Sequence, residues 1–145
     1  MSKWLHIAGN VPSLKNGKQI VKAGKFPRLI PSKLHQKYEK ANARIYAAHA
    51  PVFRAMCADL PKPFYVLLYF TRDSRRRFDF TNATATVQDL IVKAGWVDDD
   101  NTHEMIPVYA GHHVNKDAAG VHISVLAEKP TLPIPDIQDD LFIGN

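Results

Sequence analysis

A chain of 145 residues, 46% hydrophobic and 23% charged, is the right size for one domain with one core and has the composition of an ordinary globular protein. No apolar run approaches the roughly 20 residues a membrane helix needs, and the single cysteine, Cys57, excludes an internal disulfide. The opening Met1-Ser2-Lys3-Trp4-Leu5-His6 loses its apolar character too early for a signal peptide, so a cytoplasmic protein is expected, with Cys57 as a small apolar packing residue. The formal charge is +5, but it is unevenly spread: residues 1–77 hold 16 of the 19 Lys and Arg and only 3 of the 14 Asp and Glu, a balance of +13, against −8 for the rest. Such a chain suits a polyanion over one region and clustered carboxylates in another. The same numbers also suit two halves that neutralise each other across one fold.

In chain order, residues 3–8 predict a first strand and residues 9–18, rich in turn formers, a loop. Residues 19–23 and 27–31 pair as a short hairpin around Gly24-Lys25, with Pro27 keeping the second arm at an edge. Ser32 caps a helix that runs to about Ala55, with Pro51 as a possible break, and whose exposed face carries Lys33, Lys37, Lys40 and Arg44. Residues 63–71, PFYVLLYFT, predict a central strand covered on both sides, so Phe64, Tyr65, Tyr69 and Phe70 are assigned to the core. A basic connection follows, then a helix over 82–94 with Ala83, Val87, Leu90, Ile91 and Ala94 on one apolar stripe and Gly95 at its end. Residues 104–110 and 120–127 close the fold as strands. The order predicts an α+β class: one domain, residues 1–129, with a mixed sheet packed by two main helices. Pro130, Pro133 and Pro135 punctuate residues 130–145, which are expected to form a flexible C-terminal tail.

Carboxylates flank the second helix. Asp79 precedes it, and Asp98, Asp99 and Asp100 follow Gly95. Clustered carboxylates repel, and a hard divalent cation such as Mg²⁺ relieves that cost while polarising a phosphodiester. A 13-residue helix is about 20 Å long, however, so the two ends share an ion only if the chain beyond the helix folds back. Taken singly, Asp79 also reads as a helix N-terminal anion and Asp98-Asp99-Asp100 as a solvated turn. His103, His112 and His113 fit no zinc spacing and are expected at the surface or at strand ends.

Residues 75–100 read RRRFDFTNATATVQDLIVKAGWVDDD. This resembles the core motif of RusA-type Holliday junction resolvases: basic residues, then D-x-D-N, a helix with an internal Asp, a Gly and a terminal Asp pair. Arg75, Arg76, Arg77, Asp79, Asn82, Asp89, Gly95, Asp99 and Asp100 match without a gap. Residues 11–20, VPSLKNGKQI, are similar to the family's P-S-K-K-N segment, and Pro31-Ser32-Lys33 followed by Tyr38 resembles its first helix entry. The likeness spans about residues 5–128. It implies a RusA-like fold of bacterial or phage origin and a homodimer that cuts branched DNA with Mg²⁺, or Mn²⁺ in its place. It further implies that Asp79, Asp99 and Asp100 are metal ligands and that Thr81 and Asn82 belong to the catalytic motif. Lys15, Asn16, Lys18 and Arg75 to Arg77 would be the DNA contacts. Two departures matter. Thr81 replaces the second Asp of D-x-D-N and supplies no charge, and Ala85 stands where the family has its catalytic lysine. Lys93 and Lys15 are candidate substitutes.

The segment Gln138-Asp139-Asp140-Leu141-Phe142 resembles the Q-x-x-L-F peptides that bind bacterial sliding clamps, with Gln138, Leu141 and Phe142 as the contact residues. Equally, Leu141 and Phe142 could dock on the domain itself or on a dimer mate. Three functions follow: a structure-selective endodeoxyribonuclease, a branched-DNA-binding module of the same fold that has lost cleavage through Thr81 and Ala85, and a divalent-metal hydrolase acting on nucleotides.

Overall fold

The computed structural model describes residues 3–13, 18–23, 26–31 and 33–131. Its elements are β1 (Leu5–Ala8), β2 (Lys18–Ala23), β3 (Phe26–Pro31), α1 (Lys33–Cys57), β4 (Phe64–Arg72), α2 (Phe80–Lys93), β5 (Met105–Val114) and β6 (Gly120–Leu126). The class is α+β. A four-stranded mixed sheet of order β1-β6-β4-β5 carries both helices, and β2 and β3 form a separate antiparallel hairpin. Within the sheet, β6 pairs antiparallel with both β1 and β4, while β4 and β5 run parallel, joined by α2 as the crossover. Among the described residues no helix is long and apolar enough to cross a membrane.

The two helices follow from their apolar spacing. On α1 the buried positions are His35, Tyr38, Asn42, Tyr46, Ala50 and Phe53, three or four residues apart, which draws one stripe down the helix. Lys33, Lys37, Lys40 and Arg44 lie off that stripe and are exposed, as expected. Pro51 does not break the helix, which continues to Cys57. Proline there removes one donor, but Ala47, whose carbonyl loses its partner, is exposed, so water can supply the bond. On α2 the stripe is Ala83, Thr86, Val87, Leu90 and Ile91, and the helix starts two residues earlier than the sequence pattern predicts. The apolar stripe hides that start because Phe80 and Thr81 are exposed.

The stripes meet Leu5 and Ile7, Phe64, Val66, Leu68 and Phe70, Met105, and Val121 and Ile123 in one core. The sheet is covered on that face, and the expectation of a central strand buried on both sides is corrected. Tyr65, Leu67 and Tyr69 alternate with the core residues of β4 and are only half-buried. Tyr69 lies instead among imidazoles, with ring centroids 5.5 Å from His113 and 6.0 Å from His122. Strand β5 runs four residues past its expected end, through Gly111, where the backbone takes φ +128° beside a register shift. Its last residues, His112 and His113, are exposed, so alternation gave no signal.

The end of α2 locks the helices together. Gly95, at φ +79°, donates its N–H to the Val92 carbonyl, and Trp96 donates to the Ile91 carbonyl. That pattern closes a helix with a left-handed glycine and leaves the next side chain pointing inward. Trp96 is buried against Tyr46 and Phe53, and its Nε1–H donates to the Tyr46 carbonyl at 2.6 Å. Arg54 Nε–H, further along α1, reaches the Gly95 carbonyl.

A second tight point joins β6 to β1. A Cβ on Gly120 would lie 2.5 Å from the Ile7 carbonyl oxygen, a backbone atom that cannot rotate away. Gly120→Ala should therefore destabilise the fold by about 1–3 kcal/mol, as overpacking does, read as a lower urea midpoint at unchanged slope. His122 offers a pH test. Burial first, then the charges of His6 and His113, push its imidazole below the ordinary value of 6.5. The unfolded chain therefore takes up this proton first as pH falls. The stability is present above the ordinary value and is lost as pH drops from there through the lowered one. Urea midpoints should fall between about pH 7.5 and about pH 5.5, and His122→Gln should flatten that part of the decline.

Candidate functional site

The C-terminal ends of the parallel strands β4 and β5, with the N-terminus of the crossover helix α2 between them, form the place where α/β units put their ligands. Three pieces of chain converge here. The first is the segment after β1. Arg72, the last residue of β4, donates from its guanidinium to the Val11 carbonyl and to Ser13 Oγ, and Asp73 N–H donates to Asn10 Oδ1 at 3.2 Å. Arg72 is buried, which lowers its pKa, and its guanidinium lies 4.5 Å over the Phe78 ring. These bonds hold the base of the stretch that continues into Lys15 and Asn16, both outside the described residues. Lys18 is the first residue of β2.

The second piece is the loop from Asp73 to Asp79. Arg75, Arg76 and Arg77 are all exposed, and no ion pair involves them among the described residues. Three adjacent guanidinium groups left in water repel one another mildly and leave their donors open, which is what a phosphate contact requires.

The third piece is the helix start. Asp79 is the N-cap of α2, with extended backbone (φ −102°, ψ 103°). Its Oδ1 accepts from the N–H of Thr81 at 3.0 Å and of Asn82 at 3.3 Å. The helix forms here because this carboxylate satisfies donors that would otherwise be left bare, and because its charge meets the positive end of the helix. Thr81 is exposed. The Asn82 side chain is half-buried, and its Nδ2 is shielded from solvent without a hydrogen-bond partner, a donor held ready beside the cap.

Rings line the same end. Phe80 stacks on Tyr109 of β5, with centroids 4.5 Å apart and planes 18° apart. Tyr109 neighbours His112, with its hydroxyl bonded to Nδ1, then Phe78 meets His112 and Phe70 meets Phe78. None of these rings is a candidate site residue on the sequence alone. The available signal was the alternation Phe78-Asp79-Phe80 directly after three arginines, where a helix start would normally be polar.

The other acidic residues lie elsewhere. Because β4 and β5 are parallel, α2 must return to the end where β4 begins, and Asp99 and Asp100 follow it there. Met105 registers against Phe64, and Glu104 pairs with Lys62 at 2.6 Å. At 14 residues α2 is about 21 Å long, and the post-helix turn is held by bonds among its own residues. Asp99 Oδ1 accepts from the Asp100 N–H, and Asp99 Oδ2 accepts from Asn101 Nδ2. The Asn101 bond, then the Asp100 amide, lower the Asp99 pKa; burial, then the Asp99 side chain, raise that of Asp100, with Asp89 adding repulsion. The chain thus brings Asp100 near Asp89 and Asp99, not near Asp79. The set Asp79, Asp99 and Asp100 does not converge within one chain. Among the described residues no group of three His, Cys, Asp or Glu is placed to hold a metal, so these residues do not fit a shared Mg²⁺ in the single chain. Lys93, a candidate for the absent lysine, sits at the far end of α2 and pairs with Glu39 at 2.7 Å. The tail residues Gln138, Leu141 and Phe142 lie outside the described residues. Comparison with protein-family models and with curated proteins finds no match.

The cap separates two roles of Asp79. Asp79→Ala removes the acceptor and should cost about 1 kcal/mol of stability, whereas Asp79→Asn keeps it and should cost a few tenths at most. Thermal melts of the two variants beside the wild type check this. Any loss of function in Asp79→Asn without loss of stability then belongs to the charge and not to the helix.

Proposed function

We propose that the protein is a DNA-directed, structure-selective endodeoxyribonuclease that acts on branched DNA. The observation that carries the reading is the exposed run Arg75-Arg76-Arg77, which makes no ion pair among the described residues, leading straight into the Asp79-capped start of α2 at the C-terminal ends of β4 and β5. The resemblance of residues 75–100 to the RusA-type core motif supports the same reading. Phosphates would be held by the arginines, contacts that bind the backbone of any sequence and so leave selection to DNA shape. A divalent cation, when bound, would supply a hydroxide nucleophile and neutralise the charge that develops at phosphorus. No step is assigned to it here, because the three aspartates do not meet within one chain.

That separation, with Thr81 and Ala85 in the motif and Lys93 paired to Glu39, favours a second reading. In it the protein recognises branched DNA without cutting it. One experiment distinguishes the two: incubation of a synthetic four-way junction and a linear duplex with the protein in Mg²⁺, Mn²⁺ or EDTA. Metal-dependent cleavage of the junction, lost in Asp79→Asn, supports the nuclease. Tight junction binding with no cleavage under any metal selects the binding module, and no preference for the junction over the duplex overturns both.

The basic loop carries its own expectation. Replacing Arg75, Arg76 and Arg77 with Ala should weaken binding to duplex arms and reduce the slope of log K against log salt by about 0.9 for each lost phosphate contact. Fluorescence anisotropy across a salt series measures it. An unchanged slope would assign the loop to solvent.

A further inference from the structure

Large rings on a protein surface need a reason, and Phe80 and Tyr109 are 46% and 37% exposed. Neither belongs to the core that the two helices and the sheet share. A first helical turn ordinarily takes small or acidic residues, yet Phe80 follows the cap directly and lies nearly parallel to Tyr109. The pair is also braced. Tyr109 is stacked with His112 and bonded to its Nδ1, His112 meets Phe78, and Phe78 is held between the buried Phe70 and the Arg72 guanidinium. A ladder of rings therefore runs from the core to the surface, so the exposed pair loses little further freedom when something flat settles on it.

Its neighbours decide what that is. Phe80 is three residues from Arg77, and the whole run of arginines leads into it. An apolar protein surface would not be drawn to an edge lined by three exposed guanidinium groups that make no ion pair among the described residues. A nucleotide has both parts that this edge matches, a flat π-face for the rings and a phosphate for the arginines. We infer that Phe80 and Tyr109 form a stacking platform for a nucleobase that has left the helical stack, with Arg75 to Arg77 holding the flanking phosphates. In continuous duplex both faces of every base are covered by neighbours. Bases become available at branch points, in flaps and gaps, and in single strands. The platform thus gives the DNA reading above, on which it rests, a basis for selecting structure: the protein prefers DNA with an unstacked base at or beside a branch.

The test compares wild type, Phe80→Ala/Tyr109→Ala and Phe80→Trp, each first checked for an unaltered far-UV spectrum and cooperative melt. The probes are a single-stranded oligonucleotide with one 2-aminopurine, the same strand as a duplex, and a four-way junction with 2-aminopurine at the branch. Wild type should bind the single strand and the junction, with a change in 2-aminopurine fluorescence as the base leaves its neighbours for the ring pair. The double alanine variant should lose that change and about tenfold or more in affinity for both, the loss expected for one stacked base. Its duplex affinity should stay within about twofold, because the arginines remain. Phe80→Trp, which keeps a flat ring at this position, should retain both signals. If wild type binds junction and duplex but the alanine variant matches it on every probe, the platform is wrong while the DNA reading stands. If wild type binds none of the three DNAs, the DNA reading fails and the platform with it. If the alanine variant alone loses concentration-dependent self-association in sedimentation, the rings serve a second copy of the chain and the inference is overturned.

Discussion

The parallel pairing of β4 with β5 sets the terms for the rest of the molecule. Two parallel neighbours need a crossover, and a single helix long enough to return across the sheet supplies it. The chain must then start that helix where β4 ends and stop it where β5 begins. Asp79 performs the first task by capping the free amides, and Gly95 performs the second by adopting a backbone conformation that side chains resist. Trp96 then fills the space between the helix end and α1. The polar chemistry gathers at the start of this unit and a second acidic turn at its end. Their separation is thus a geometric result of strand direction, not of side-chain choice.

That result bears on how the aspartates are read. In the sequence Asp79 and Asp99 belong to one motif, and a helix of the observed length keeps them apart. Each is occupied locally as well, Asp79 with helix amides and Asp99 with the following amide and Asn101. A carboxylate satisfied by neutral donors stays charged without a cation, so acidity alone is a weak pointer to a metal. The arginine loop differs in kind. Its charges make no ion pair among the described residues, and an exposed charge of that kind speaks more directly to a partner.

Much of this was legible beforehand, and the parts that were not have physical reasons. The α+β class, the core of the second helix and the hairpin boundaries follow from periodicity and turn chemistry. Proline 51 misled because its cost depends on whether the orphaned carbonyl at Ala47 meets water, which only the fold determines. Strand β4 looked buried on both faces because Tyr65, Leu67 and Tyr69 are as apolar as the residues between them. The imidazoles around Tyr69 come from strands far away in the chain. The ring ladder was missed for the same reason, since Phe80 and Tyr109 are distant in sequence and meet only through the crossover.

Strand β1 holds a consequence for how the chain reaches this state. Among the described residues its sheet neighbour is β6, and Leu5 registers against Ile123, 118 residues away. β1 is made long before its strand partner β6, although α1, against which it packs, follows it closely in the chain. The crossover unit can assemble without it, whereas the sheet edge beside β6 is open until β1 arrives. Pairing of β1 with β6 closes a loop of 118 residues, the kind of long-range contact that costs most chain entropy and slows folding. A chain in which β1 is not yet paired would present the bare edge of β6, the kind of open strand that invites pairing between chains.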